Sequence, residues 1–131
     1  AGRVATITAL AVDASRTTLY VAGNFTTITK GSRRVTAVGL AQLNLKTGLW
    51  SKVGKGLSGK GIVVWSLSLD TASGNLLVAG RFTGSPGVAS ANVAVWNPAR
   101  KRWVALGKGV TAEVATAAFS SDGTAYVRTI Q

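Results

Sequence analysis

At 131 residues and 47% hydrophobic, the chain is about one domain long and too apolar to be a disordered tail, yet it contains no apolar run near the ~18 residues of a membrane span. It has no cysteine and no histidine, which removes disulfides, thiol nucleophiles, the most frequent general base and the soft metal ligands. The net charge is +11, with 15 basic residues against only Asp13, Asp70, Glu113 and Asp122, a field that attracts polyanions without naming one.

Reading begins at Ala1, with no methionine and no leader-like pattern, as in a trimmed chain or a mature secreted product whose leader is gone. The first predicted strand, about 4–13, alternates Leu10 and Val12 with Ala9 and Ala11. Such period-two patterning with a small minor face suits a strand buried on both sides. Turn residues 14–17 lead into a second strand, about 18–26, ending in Gly23-Asn24-Phe25-Thr26. A basic loop with Lys30, Arg33 and Arg34 follows. Strands at about 37–45 and 49–54 then flank the turn Lys46-Thr47-Gly48.

The pattern then recurs. Trp65-Ser66-Leu67-Ser68-Leu69-Asp70 and Leu76-Leu77-Val78-Ala79-Gly80-Arg81-Phe82-Thr83 repeat 8–13 and 19–26 at an offset of 57. Ala94-Val95-Trp96-Asn97 and the stretch from Trp103 to Val110 repeat 41–44 and 50–57 at an offset of 53. Strands are predicted at about 62–70, 75–83, 91–97 and 102–107. A third copy opens at Ala117-Ala118-Phe119-Ser120 and stops after Tyr126-Val127, with Thr129 in the place of Gly23 and Gly80. Four short antiparallel strands repeated every 50-odd residues make an all-β chain of β-propeller-like blades, about two and a half of them. The expected boundaries are 1–57 for the first blade, 58–111 for the second and 112–131 for two strands of a third. A closed ring needs about 4 to 8 blades. The chain is therefore expected to be part of a longer one, or to receive its missing strands from other chains.

The "ALAVD…LYVAGNFT" and "LAQLN…W…VGKGL" segments, at 9–26 and 40–57 and again at 66–83 and 93–110, resemble propeller repeats of bacterial and eukaryotic cell-surface proteins. They are also similar to the fungal cortical polarity-marker family of surface proteins. The resemblance implies a four-stranded blade in an extracellular or cell-surface scaffold.

Among individual residues, Gly23 and Gly80 suit a bulge or a close approach of strands. Asp13 and Asp70 share one repeat position and suit Asx-type turns. Trp50 and Trp103 occur once per blade and suit packing between blades, whereas Trp65 and Trp96 break the repeat and suit a specific contact. Asn24-Phe25-Thr26 is a glycosylation sequon, although the second copy has Arg81 in place of Asn24. No motif for catalysis, metal or cofactor emerges, so neither an enzymatic role nor a cofactor is expected.

Loops of an up-and-down blade alternate between the two faces of the disc. Lys30, Arg33, Arg34, Lys55, Lys60 and Lys108 are thus expected on one face, and Arg16, Lys46, Arg100, Lys101 and Arg102 on the other. Two functions follow as expectations. The first is a non-catalytic structural or interaction module, whose partners are other protein chains or the remaining blades. The second is a binding module for an acidic polysaccharide or other polyanion through these basic loops. Nucleic acid fits less well, because exposed aromatics do not interleave with the charges.

Overall fold

The computed structural model describes residues 6–130. Residues 4 and 5 of the first predicted strand lie outside them. Among the described residues there are only strands, turns and loops, and no helix long and apolar enough to cross a membrane. The first sheet has the order β1-β2-β5-β6, from Ile7–Val12, Thr18–Gly23, Leu40–Asn44 and Leu49–Lys52. The second has β7-β8-β11-β12, from Val63–Leu69, Leu76–Arg81, Val93–Asn97 and Arg102–Ala105. Strands β13 (Val114–Phe119) and β14 (Ala125–Thr129) pair as a third, two-stranded sheet. All pairings between these strands are antiparallel, and β7 packs beside both β1 and β13.

Two hairpins were not expected. β3 (Thr27–Lys30) pairs with β4 (Arg33–Thr36), and β9 (Gly84–Ser85) with β10 (Val88–Ala89). The segment 27–36 carries only Ile28 and Val35 as large apolar residues, too few to read as strands. Their burial against Val21, Phe25, Ala37 and Trp50 supplies the missing driving force.

The same irregularity opens all three sheets. Ile7 pairs with Gly23 but Ala9 with Ala22, so Thr8 is an extra residue. Trp65 and Ala115 are extra in the same way on β7 and β13. These are β-bulges, which increase twist and re-aim a side chain. At Gly23 and Gly80 a Cβ would fall 2.0 Å from the Thr6 oxygen and 2.1 Å from the Val63 oxygen. Both the bulge and the close approach are therefore present. Thr129 keeps the third bulge, paired with Val114, while Ile130 N–H donates to the Glu113 carbonyl at 2.8 Å.

Between the first two sheets the core contains Tyr20, Ala22, Leu40 and Val53 from one side, and Leu76, Val78, Phe82, Trp96 and Trp103 from the other. Ala9 and Ala11 join it from β1, and Leu67 and Leu69 from β7. Large residues of one sheet thus meet small ones of the next, as the alternation implies. Between the second and third sheets, Leu77, Ala79, Val93 and Val95 meet Val114 and Ala117. There the small face of β7 is polar: the Ser66 hydroxyl lies 3.2 Å from the Ala117 carbonyl and 3.3 Å from its N–H, and the Ser68 hydroxyl accepts from Phe119 N–H at 3.2 Å.

Asp13 and Asp70 form the expected turns. Asp13 Oδ1 accepts from Thr17 N–H at 2.8 Å and Thr18 N–H at 3.1 Å, and Oδ2 from the Thr17 hydroxyl at 2.9 Å. Asp70 accepts from Ala72 N–H and the Ser73 hydroxyl. Burial alone would raise the Asp13 pKa, but the bonds from Thr18, Thr17 and Ser15 outweigh it and hold the carboxyl below its ordinary 3.8. A depressed folded-state pKa contributes stability that is fully present above the unfolded value and is lost as pH falls through the folded one. Asp13→Ala is expected to cost on the order of 1 kcal/mol at neutral pH. The gap from the parent in urea denaturation should narrow once the pH drops below 3.8; a gap independent of pH would refute the role of the charge.

Candidate functional site

The basic residues do not sort as loop alternation suggests. Hairpin β3–β4 folds back along the outer strand β6, so Lys30 Nζ donates to the Gly48 carbonyl at 3.0 Å. Lys30 and Arg33, expected opposite Lys46, therefore sit at the β5–β6 turn that carries Lys46. They line a cavity of about 520 Å³ with Ile28, Val35, Thr47 and Trp50. Burial of Ile28 and Val35 pulls the hairpin there. Arg34 is exposed on β4, next to Arg33.

A second cleft of about 520 Å³ lies where the first sheet crosses to the second. Its lining includes Gly54, Lys55, Val88, Trp96, Lys101, Arg102 and Trp103. Lys55, assigned from loop topology to the face opposite Lys101 and Arg102, thus borders the same cleft. The short β9–β10 hairpin folds toward β12, and the Ser85 hydroxyl donates to the Gly56 carbonyl at 2.6 Å, which holds the crossing segment against it. Arg100 stays in the β11–β12 turn, where its N–H donates to Asn97 Oδ1. Lys60 and Lys108 are exposed on the two crossings between sheets and do not line this cleft.

The tryptophans divide differently from expectation. Trp103 packs between blades, its Nε1 donating to the Val53 carbonyl at 3.1 Å. Trp50 is half-buried against its own blade and hairpin. Trp96 is 4% exposed and meets Trp103 with ring centroids 5.4 Å apart, tilted by 56°. Its Nε1 is buried without a hydrogen-bond acceptor among the described residues. Trp65, the bulge residue of β7, makes its specific contact inside the chain. Its Nε1 donates to Glu113 Oε2 at 2.5 Å, while Glu113 Oε1 meets Arg81 Nη1 at 3.3 Å. Arg81 Nε also donates to the Gly61 carbonyl at 2.8 Å.

Arg81–Glu113 is the one ion pair among the described residues. Asn24 is exposed, and its Oδ1 accepts from Thr6 N–H at 2.6 Å. Among the described residues no group of three acidic side chains converges as a metal site would require.

Two backbone positions show what the repeat tolerates. Asn92, at φ 65°, stands where the first blade has Gly39 at φ 75°, and its Nδ2 donates to the Val110 carbonyl at 2.8 Å. Lys101, at φ 53°, stands where the first blade has Gly48 at φ 74°. Asparagine enters the left-handed region readily; lysine does so at a cost. The Asn92 side chain has a visible use in joining the next crossing. No hydrogen bond or ion pair of the Lys101 side chain occurs among the described residues.

No family model matches the sequence, and no curated protein matches it. Among solved structures the chain is similar to the crystal structure of the RRP9 WD40 repeats, with a TM-score of 0.60 and 15% sequence identity. The match covers 97% of this chain and 33% of that one, so the chain spans about a third of its length. At that identity the likeness concerns fold alone. The four-stranded antiparallel sheets, their repetition and this likeness together make the chain a β-propeller repeat protein.

Proposed function

We propose that the chain is a non-catalytic structural and interaction module of a surface or extracellular assembly, completed by further blades or by neighbouring chains. The observation that carries this is the contrast between equivalent positions. Val64 is 0% exposed beneath the first blade, whereas its counterpart Ile7 is 51% exposed. At the other end Tyr20 is 2% exposed beneath the second blade, and its counterpart Tyr126 is 62% exposed. Leu10 and Val12 are exposed on β1, while Leu67 and Leu69 pack into the core. The two outer faces thus carry the residues that the internal interface buries. Apolar faces of that kind are covered by protein in stable assemblies. The surface location is supported by the resemblance of the repeats, and Asn24 would carry a glycan in such a setting.

A second reading, binding of an acidic glycan or other polyanion, is favoured by the +11 charge and by there being a single ion pair among the described residues. Salt separates the two. Polyanion binding falls steeply with ionic strength through counter-ion release, whereas burial of apolar faces does not. Light scattering from about 0.05 M to about 0.5 M salt is expected to show a molar mass that holds or rises. Assembly that dissolves with salt, together with retention on a heparin column at low salt only, would favour the polyanion reading instead.

A further inference from the structure

The cleft between the first two sheets has three features that packing of the blades does not require. Lys101, like Arg16 and Asn92, holds a left-handed backbone without being glycine, and it does so where the first blade has Gly48, so the turn itself does not call for a lysine there. Lys55 on the crossing after β6, Lys101 in the β11–β12 turn and Arg102 at the start of β12 border one cleft, and among the described residues no acidic side chain lines it. Cations gathered without a counter-ion repel one another, and an anion relieves that repulsion. Trp96 lines this cleft and also an adjoining lobe of about 330 Å³ beside Thr18, Tyr20 and Gln42, with Lys101 bordering both.

The floor narrows the chemistry. Trp96 and Trp103 are 4% and 6% exposed, so they offer little open ring face on which a sugar could stack. Pro86 and Val88, more open than the two indoles, line the cleft beside their edges and give an apolar seat for one side chain under a cationic rim. We propose that this cleft docks an acidic peptide segment of a partner protein, seating one apolar side chain between flanking carboxylates that meet Lys55, Lys101 and Arg102. Both sheets that build it are complete, so the proposal does not rest on what covers the outer faces.

Lys101→Gly is the informative variant, because glycine removes the charge while relaxing the backbone. Its thermal midpoint should stay level or rise, while affinity for the peptide falls about tenfold. The probe is a fluorescein-labelled peptide with one leucine flanked by glutamates, followed by anisotropy, alongside an all-glutamate peptide and a polygalacturonate oligomer. In ¹⁵N-correlated NMR spectra of the parent, the leucine peptide should move the indole signals of Trp96 and Trp103 and leave those of Trp50 and Trp65 in place. Arg102→Gln should weaken binding in the same direction. Equal binding of the all-glutamate peptide, preference for the uronate oligomer, no binding at millimolar peptide, or indifference to Lys101→Gly would each overturn the proposal.

Discussion

Gly80→Ala is expected to destabilise the chain by about 3 kcal/mol, lowering the thermal midpoint by roughly 10 °C. The added Cβ would lie 2.1 Å from the Val63 oxygen and 2.8 Å from Val64 Cα. Both are backbone atoms, so no flexible side chain can give way. The two strands cannot part cheaply either. On its other side Gly80 N–H donates to the Asn92 carbonyl at 3.0 Å, and β7 is held between β1 and β13. Thr129 occupies the equivalent place in the third copy, where β14 has no partner but β13 among the described strands, so that end has room to splay. Thr129→Gly should accordingly change stability by less than about 0.5 kcal/mol. Paired melting curves of the two variants check this; a Gly80→Ala protein as stable as its parent would mean that the bulge does not hold β7 and β8 at this distance.

Leu67→Asp and Leu10→Asp should part company although they alter the same repeat position. Leu67 packs in the core between the first two blades, so an unpaired carboxylate there should cost on the order of 3 kcal/mol. Leu10 is 62% exposed, and the same change there should leave the melting midpoint of the isolated chain within a few degrees. If the outer face of the first blade is completed by a blade or a neighbouring chain, Leu10→Asp should instead abolish that association. Denaturation and sizing of both variants provide the readout. Assembly that survives Leu10→Asp would remove the face of β1 from the interface, and with it the main support for the proposed role.

Much of the architecture was legible in the repeats. Offsets of 57 and 53 placed the strands of both sheets within a few residues, because period-two alternation and turn residues are local signals. Gly23 and Gly80 announced the bulge, and Asp13 and Asp70 their turns, since each acts on neighbours in its own hairpin. The β3–β4 and β9–β10 hairpins were not legible. Ile28 and Val35 form a strand pair only because Val21, Phe25 and Trp50 lie where they can bury them. Trp65 suited a specific contact, which it makes, but the partner Glu113 was not legible because it is 48 residues away.

The sequence by itself determined an all-β chain of repeated four-stranded units, its large positive charge and its lack of the usual catalytic groups. Each of these follows from composition or from spacing within one repeat. Only the tertiary structure decided which cations share a surface. Loop alternation separates Lys55 from Lys101 and Arg102, but the short β9–β10 hairpin, folded toward β12 and bonded to the crossing segment at Gly56, helps bring all three to one cleft. That juxtaposition depends on packing between blades, which no single repeat encodes.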